Sequence, residues 1–156
     1  MKTGFVMCSI LVLGMLTNCS VSSTKPDNFQ LQIEKFNKEN VRGKDYWLLK
    51  CILKNNNKDT LSYLSMSCSW TEFYVVTIKG LEIDGFSCDK NIPTILSLLP
   101  GESRSEILRL FKGKDFNNTS SKFLKVGLNL IKTKSTLNFD EKLKKNIVWS
   151  NEISLW

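Results

Sequence analysis

The sequence predicts an all-β domain, an antiparallel sandwich, set behind an N-terminal leader. Three observations carry this reading. Short runs of two-residue alternation recur along the chain, and turn signals rich in Asn, Gly and Pro break them every ~8–15 residues. No stretch shows the sustained period of a long helix. About seven to nine strands are expected, and an even-stranded closed barrel is the alternative. Neither an internal repeat nor a second domain is visible in the 156 residues.

The leader comes first. Lys2 is the only charge before Lys25, and residues 5–16 are almost wholly apolar. About 12 residues make ~18 Å of helix at ~1.5 Å per residue, well short of the ~30 Å core of a bilayer. A basic start, a short apolar centre and small polar residues after it predict a secretory signal peptide over residues 1–18. Residues 19–28 are small, polar and interrupted by Pro26, and are expected to form a tether. The sandwich is expected over residues 29–156.

Strand signals follow in order. Phe29, Leu31 and Ile33 alternate with Gln30, Gln32 and Glu34, and the polar residues 37–44 are expected to break that strand. Trp47, Leu49, Cys51 and Leu53 alternate next, with Trp47, Leu49 and Cys51 assigned inward. Asn55-Asn56-Asn57-Lys58-Asp59 is a turn. Leu64, Met66, Cys68 and Trp70 are then expected to face in, with Ser65, Ser67 and Ser69 facing out. Residues 73–78 are aromatic and β-branched, a strand signal. Gly80 and Asp84-Gly85 bracket Leu81-Glu82-Ile83, which suggests a hairpin. Thr94 begins a run that ends at Pro100-Gly101, which fits the centre of a type II turn. Residues 107–111 form a further run. Leu124, Val126, Leu128 and Leu130 give the cleanest amphipathic strand, and Ile147, Trp149, Ile153 and Leu155 a terminal one. A helical turn is expected around residues 140–145.

Composition excludes much chemistry. The chain has no histidine, which removes the usual general base and the commonest metal ligand. Neither a Gly-rich phosphate loop nor an SxxK arrangement is present. Glu72, Glu82, Asp84 and Asp89 are scattered carboxylates, too sparse for a calcium loop. No enzyme activity, cofactor or metal is expected. The formal charge of +7 falls by one when Lys2 leaves with the leader, and it is spread over lysines, with only Arg42, Arg104 and Arg109 beside them. Export argues against nucleic acid; the charge reads first as a solvated lysine surface, with anionic envelope polymers as the alternative partners. Lys142, Lys144 and Lys145 are its densest group.

Leu16-Thr17-Asn18-Cys19-Ser20 resembles the bacterial lipobox, although Asn18 stands where Gly, Ala or Ser is usual. The resemblance implies that Cys19 is diacylated on sulfur and becomes the new N-terminus, and Ser20 implies the outer membrane as its destination. Two or three acyl chains, at ~0.8 kcal/mol per buried CH₂, would hold a small domain on a membrane. With Cys8 lost in the leader, Cys51, Cys68 and Cys88 remain. A disulfide between Cys68 and Cys88 is expected, with Cys51–Cys68 as the rival pairing. A loop of about 20 residues closed in this way is worth ~3 kcal/mol on loop-closure entropy. Cys51 reads as a small core residue.

The mature sequence also resembles small immunoglobulin-like lipoproteins of Bacteroidetes-type bacteria. The resemblance rests on the lipobox, on Leu49-Lys50-Cys51-Ile52-Leu53-Lys54-Asn55-Asn56 leading to Met66-Ser67-Cys68-Ser69-Trp70, and on Leu99-Pro100-Gly101-Glu102-Ser103. It implies an immunoglobulin-like β-sandwich and carries no activity. The expected role is therefore a membrane-anchored, non-enzymatic module that contacts another protein or a surface polymer. The alternatives are a membrane-presented inhibitor of a hydrolase and a carbohydrate-binding module. Trp47, Trp70 and Trp149 are assigned to core packing, whereas Tyr63, Tyr74 and Trp156 are the candidate partner contacts. Asp59-Thr60-Leu61 resembles an O-glycosylation acceptor of the same bacteria, placing a candidate glycan on Thr60. Asn117-Asn118-Thr119-Ser120 contains two overlapping N-x-S/T sites, to which no role is attached in a bacterium.

Overall fold

A computed structural model describes residues 28–85, 88–117, 122–136 and 146–155. The leader, Cys19, most of the tether, the 140–145 turn, Lys142, Lys144 and Lys145, most of the N-x-S/T sites and Trp156 lie outside the described residues. Among the described residues the chain is antiparallel β with no α-helix, apart from one 3₁₀ turn, Trp70–Phe73.

The first sheet has the order β1 (Phe29–Val41), β2 (Lys44–Asn55), β7 (Ser103–Lys112), β5 (Leu81–Ile83). Alternation builds it. Leu31 and Ile33 on β1, Trp47, Leu49, Cys51 and Leu53 on β2, and Leu108 and Leu110 on β7 all point to one side and are buried. The polar segment 37–44 does not break β1 as expected. The strand runs on to Val41 through a bulge between Lys35 and Asn37, and turns at Arg42-Gly43. Both turn residues have positive φ, 53° and 79°, as a two-residue primed hairpin requires. Polar residues on both faces hid the strand, because there the ribbon extends past the core and has nothing to bury.

The second layer is assembled from shorter ribbons. β9 (Val126–Leu130) lies between β10 (Asn146–Trp149) and β4 (Tyr74–Val76), β3 (Leu61–Met66) pairs with β6 (Pro93–Leu98), and β8 (Phe123–Leu124) pairs with β11 (Ile153–Ser154). Backbone bonds join these pieces. The Leu64 N–H donates to the Ile131 carbonyl at 2.9 Å and the Thr77 N–H to the Lys125 carbonyl at 3.2 Å. β3 and β4 therefore share one edge of the β8–β9 run, and the 3₁₀ turn is an excursion between them. On the opposite edge the Ser150 N–H donates to the Val126 carbonyl at 2.9 Å. The two layers together form an antiparallel β-sandwich, in which β5 precedes β6 in the chain. Leu81-Glu82-Ile83 is thus no hairpin arm; it is the edge strand beside β7.

Leu61, Tyr63, Leu98, Leu124, Val126, Leu128, Leu130 and Leu155 close the core from the second layer. Two polar devices fix the layers to each other. Asn151 mimics a strand neighbour to β1, accepting from the Ile33 N–H at 2.7 Å and donating to the Ile33 carbonyl at 3.1 Å. Asn55 is fully buried. Its Nδ2 donates to the carbonyls of Asp59 and Leu98, both at 2.9 Å, and its Oδ1 accepts from the Asn57 N–H at 3.0 Å. Its own carbonyl accepts from the Gly101 N–H at 2.7 Å. The Pro100-Gly101 turn is as expected, with Gly101 at φ 79° and the Glu102 N–H donating to the Leu99 carbonyl at 3.0 Å.

A stapled groove as the candidate functional site

The face of β3 is the reverse of the one expected. Tyr63 and Ser65 are buried on the inner side, and Ser69 is buried too, whereas Leu64, itself buried, and the half-buried Met66 line a groove on the other face of β3. A one-residue shift in strand start exchanges the faces, and β3 starts at Leu61, not at Leu64. Tyr63 is therefore not a surface contact. It is 7% exposed, and burial pushes its hydroxyl up to about 12. Tyr74 is half-buried, its ring edge-on to Trp70 at 6.0 Å, and burial raises its hydroxyl well above the usual range. Trp156, the third candidate contact, is outside the described residues.

The disulfide joins Cys68 to Cys88, with Cα atoms 6.1 Å apart, and Cys51 is free and buried. The pairing is the expected one, but it is not placed in the core: it ties the excursion after β3 to the segment before β6. Around it lies a dense polar staple. The Ser67 N–H donates to the Ile92 carbonyl and the Ile92 N–H to Ser67 Oγ, both at 2.9 Å. Asn91 Oδ1 accepts from the Cys68 and Ser69 N–H groups, both at 3.2 Å, and Asn91 Nδ2 donates to Ser69 Oγ at 2.6 Å.

What the staple holds is one wall of a groove of about 440 Å³ on the outer face of the second sheet. Leu64, Met66 and Ile131 supply its apolar surface, with Phe73 and Pro93 above them, and Ser69, Asn91 and Asn129 its neutral polar groups. Glu72 is the one charged residue among those lining it. A groove of this size, apolar with a few fixed polar groups, has the usual form of a ligand site.

The apolar surface continues along β9 and β10. Trp149 and Ile147 are 46% and 43% exposed, so the assignment of Trp149 to the core is wrong, while Trp47 is buried and Trp70 half-buried as assigned. Val148, not its neighbours, packs on the core. A Cβ on Gly127 would fall 2.6 Å from Ile147, 2.9 Å from Val75 and 3.0 Å from Trp149. The bare glycine lets these three side chains close over the sheet. Alternation gave Ile147 and Trp149 a common face but could not tell which side of the sheet that face was on.

Thr60 is exposed, as expected of an acceptor, and lines a separate groove of about 500 Å³ with Phe29, Asn57, Asp59, Ser62, Lys132, Thr133 and Lys134. Among the described residues, no three His, Cys, Asp or Glu side chains converge as metal ligands, and no helix is long and apolar enough to cross a membrane. No family model matches the chain, and no curated protein or solved structure matches it either.

Proposed function

We propose that the chain is an exported lipoprotein, held at the outer membrane by acyl chains on Cys19, whose sandwich is a non-enzymatic module that binds another protein. The observation supporting the binding role is the stapled groove. A disulfide and five hydrogen bonds fix a short wall beside an apolar floor, and ordering a loop in advance removes that cost from association. Apolar floor and single carboxylate together fit one kind of occupant: a protein segment that inserts an aliphatic or aromatic side chain beside a Lys or Arg. Glu72 then pairs with the basic residue, which selects partners more than it adds affinity.

Peptide display against the immobilised full chain tests this. Enriched peptides are expected to carry an apolar residue within three positions of Lys or Arg, and Glu72→Lys is expected to switch the selected charge to Asp or Glu. Enrichment indifferent to the charge at position 72 refutes the assignment. The anchor is tested separately: Cys19→Ala should abolish acyl labelling and release the domain, and undiminished membrane retention excludes it. A glycan on Thr60 would appear in the intact mass of the native protein and vanish in Thr60→Ala; an unmodified mass removes it.

A further inference from the structure

The end of the sandwich remote from Phe29 carries a second feature. β1 and β2 extend past the core to the Arg42-Gly43 turn, and Trp47 is the last buried residue of β2 on that side. Lys38, opposite Trp47 in the ladder, holds its Nζ 5.7 Å from the indole centroid. Lys112, the last residue of β7, holds its Nζ 5.8 Å from the same ring and 4.9 Å from that of Phe116. Lys44 approaches from the other face of the ribbon, its Nζ 3.0 Å from the Phe111 centroid and 5.3 Å from that of Tyr46. With Gly43, Asp45 and Trp47, these three lysines line a pocket of about 390 Å³. Asp45 is the one carboxylate in the lining and already accepts from Asn40 Nδ2 at 2.6 Å. Lysine heads are ordinarily mobile point charges on flexible stems; here ring faces hold them in place.

We infer that this pocket binds the carboxylate groups of an acidic polysaccharide. Its volume is in the range of small-ligand sites, about 300–1,000 Å³, enough for one or two sugar rings and too small to engulf a folded partner. The ammonium groups of the lining lysines attract carboxylates, and a linear polymer brings several at once. Direction favours a polymer over the protein's own lipid surface. Nine residues separate Phe29 from Lys38, roughly 30 Å at ~3.3 Å per residue, so the pocket faces away from the end where the chain enters the sandwich. This orientation rests on the N-terminal anchor proposed above; the charge and geometry of the pocket do not. Lysine stems covering an indole also shield the end of a core, and Lys44 covers Phe111 and Tyr46 in the same way; the pocket adds to that shielding three lysines gathered around a single carboxylate.

The experiment measures binding of polygalacturonate to the full chain by calorimetry. Two triple variants with equal charge loss are compared: Lys38→Gln/Lys44→Gln/Lys112→Gln in the pocket, and Lys54→Gln/Lys58→Gln/Lys134→Gln at the other end. The pocket variant is expected to weaken binding at least tenfold and to flatten its salt dependence, while the remote variant stays within twofold. Replacing the three pocket lysines by arginine should keep affinity within about threefold, which separates loss of charge from loss of folding. Equal losses in the two glutamine variants would assign binding to diffuse charge and overturn the pocket. So would binding to phosphatidylglycerol nanodiscs with none to polygalacturonate. Loss of membrane retention in Cys19→Ala leaves polymer binding unchanged, so failure of the anchor and failure of the pocket are distinguishable.

Discussion

The two sheets share a core but present unlike faces to the outside. On the first sheet the outward residues are Gln30, Gln32 and Glu34 on β1 and Leu48, Lys50, Ile52 and Lys54 on β2, laced by ion pairs such as Glu39–Arg109 at 3.1 Å and the looser Glu34–Lys50 at 4.0 Å. Every apolar residue there has a charged neighbour. On the second sheet Ile147 and Trp149 are exposed, Met66 is half-buried in the groove over the covered Leu64 and Ile131, and the Lys125–Glu152 pair at 3.5 Å lies toward one end. Exposed pairs like these contribute ~0–1 kcal/mol each, so the contrast is not about stability. The first face exposes Phe36 and Ile107 singly among charges, whereas Ile147 and Trp149 lie together on the second. An apolar patch on an otherwise charged domain marks an interaction site.

The first way to break this comparison is to unfasten the sheets. Asn55 sits where β2 leaves the first sheet, and its side chain satisfies the buried carbonyl of Leu98 and the part-buried one of Asp59. Asn55→Ala should destabilise by about 3–5 kcal/mol, because several buried polar groups lose partners together at ~1–3 kcal/mol each. Denaturant unfolding measures it. A cost below 1 kcal/mol would mean that the corner is not a fastening.

Next in size is a pH effect confined to the core. Burial pushes the Cys51 thiol from 9.0 to about 12, with the Glu106 carboxylate adding a smaller contribution in the same direction. Below pH 9 the thiol is neutral folded and unfolded, so its stabilising contribution is fully present. Between 9 and 12 the unfolded chain releases the proton while the fold retains it, and stability falls by ~1.4 kcal/mol per pH unit. Tyr63, raised from 10.0 to about 12, adds to the loss from pH 10 upward. Cys51→Ser should flatten the alkaline limb by about one proton between pH 9 and 12. An unchanged limb would show that the thiol already reaches solvent.

The core-facing half of this comparison was legible in the sequence and the outward half was not, for a physical reason. Two-residue alternation reports that a strand has two unlike faces. It identified Leu124, Val126, Leu128 and Leu130 because their alternate neighbours, Lys125, Gly127 and Asn129, are polar or small. Where both faces are apolar, as at Leu61-Ser62-Tyr63-Leu64-Ser65-Met66, the period no longer says which is inside, and Ser65 and Ser69 were assigned to the wrong side, while Ser67 is exposed as assigned. The same ambiguity placed Trp149 inside. The disulfide partners could be chosen because Cys51 falls on an apolar face and reads as a core residue, but their position over a groove depends on β3 and β4 sharing one edge of β9, a long-range pairing that no local spacing encodes. The hairpin at Arg42-Gly43 was hidden for the opposite reason: neither of its faces is buried.

Third in size is the staple. Cys68→Ser with Cys88→Ser should cost ~2–3 kcal/mol on loop-closure entropy, with the loss appearing mostly as faster amide exchange in residues 67–73 and 88–92. The core strands should keep their protection, because the disulfide lies on the outer side of the second sheet and touches none of the inter-sheet packing. Residual stiffness from Asn91 should leave the groove partly formed, so peptide binding weakens without vanishing. Uniform loss of protection across both sheets would contradict the peripheral role.

The smallest expected effect on stability separates the two faces most sharply. Trp149→Ser removes a ring that is 46% exposed and rests over Gly127 and beside Val75. Much of its area is in water already, and at ~25 cal/mol per Å² of apolar surface the remainder is worth about 1 kcal/mol. Met66→Lys at the groove floor should cost a similar amount. On the first sheet, Ile52→Ser and Leu48→Lys should cost about as much, because those side chains are also half-buried on an outer face. The pairs part company in binding. If the second face is an interaction surface, Trp149→Ser and Met66→Lys weaken association by tenfold or more, whereas Ile52→Ser and Leu48→Lys leave it within twofold. If all four variants are matched in stability and equally silent in binding, the apolar face is incidental.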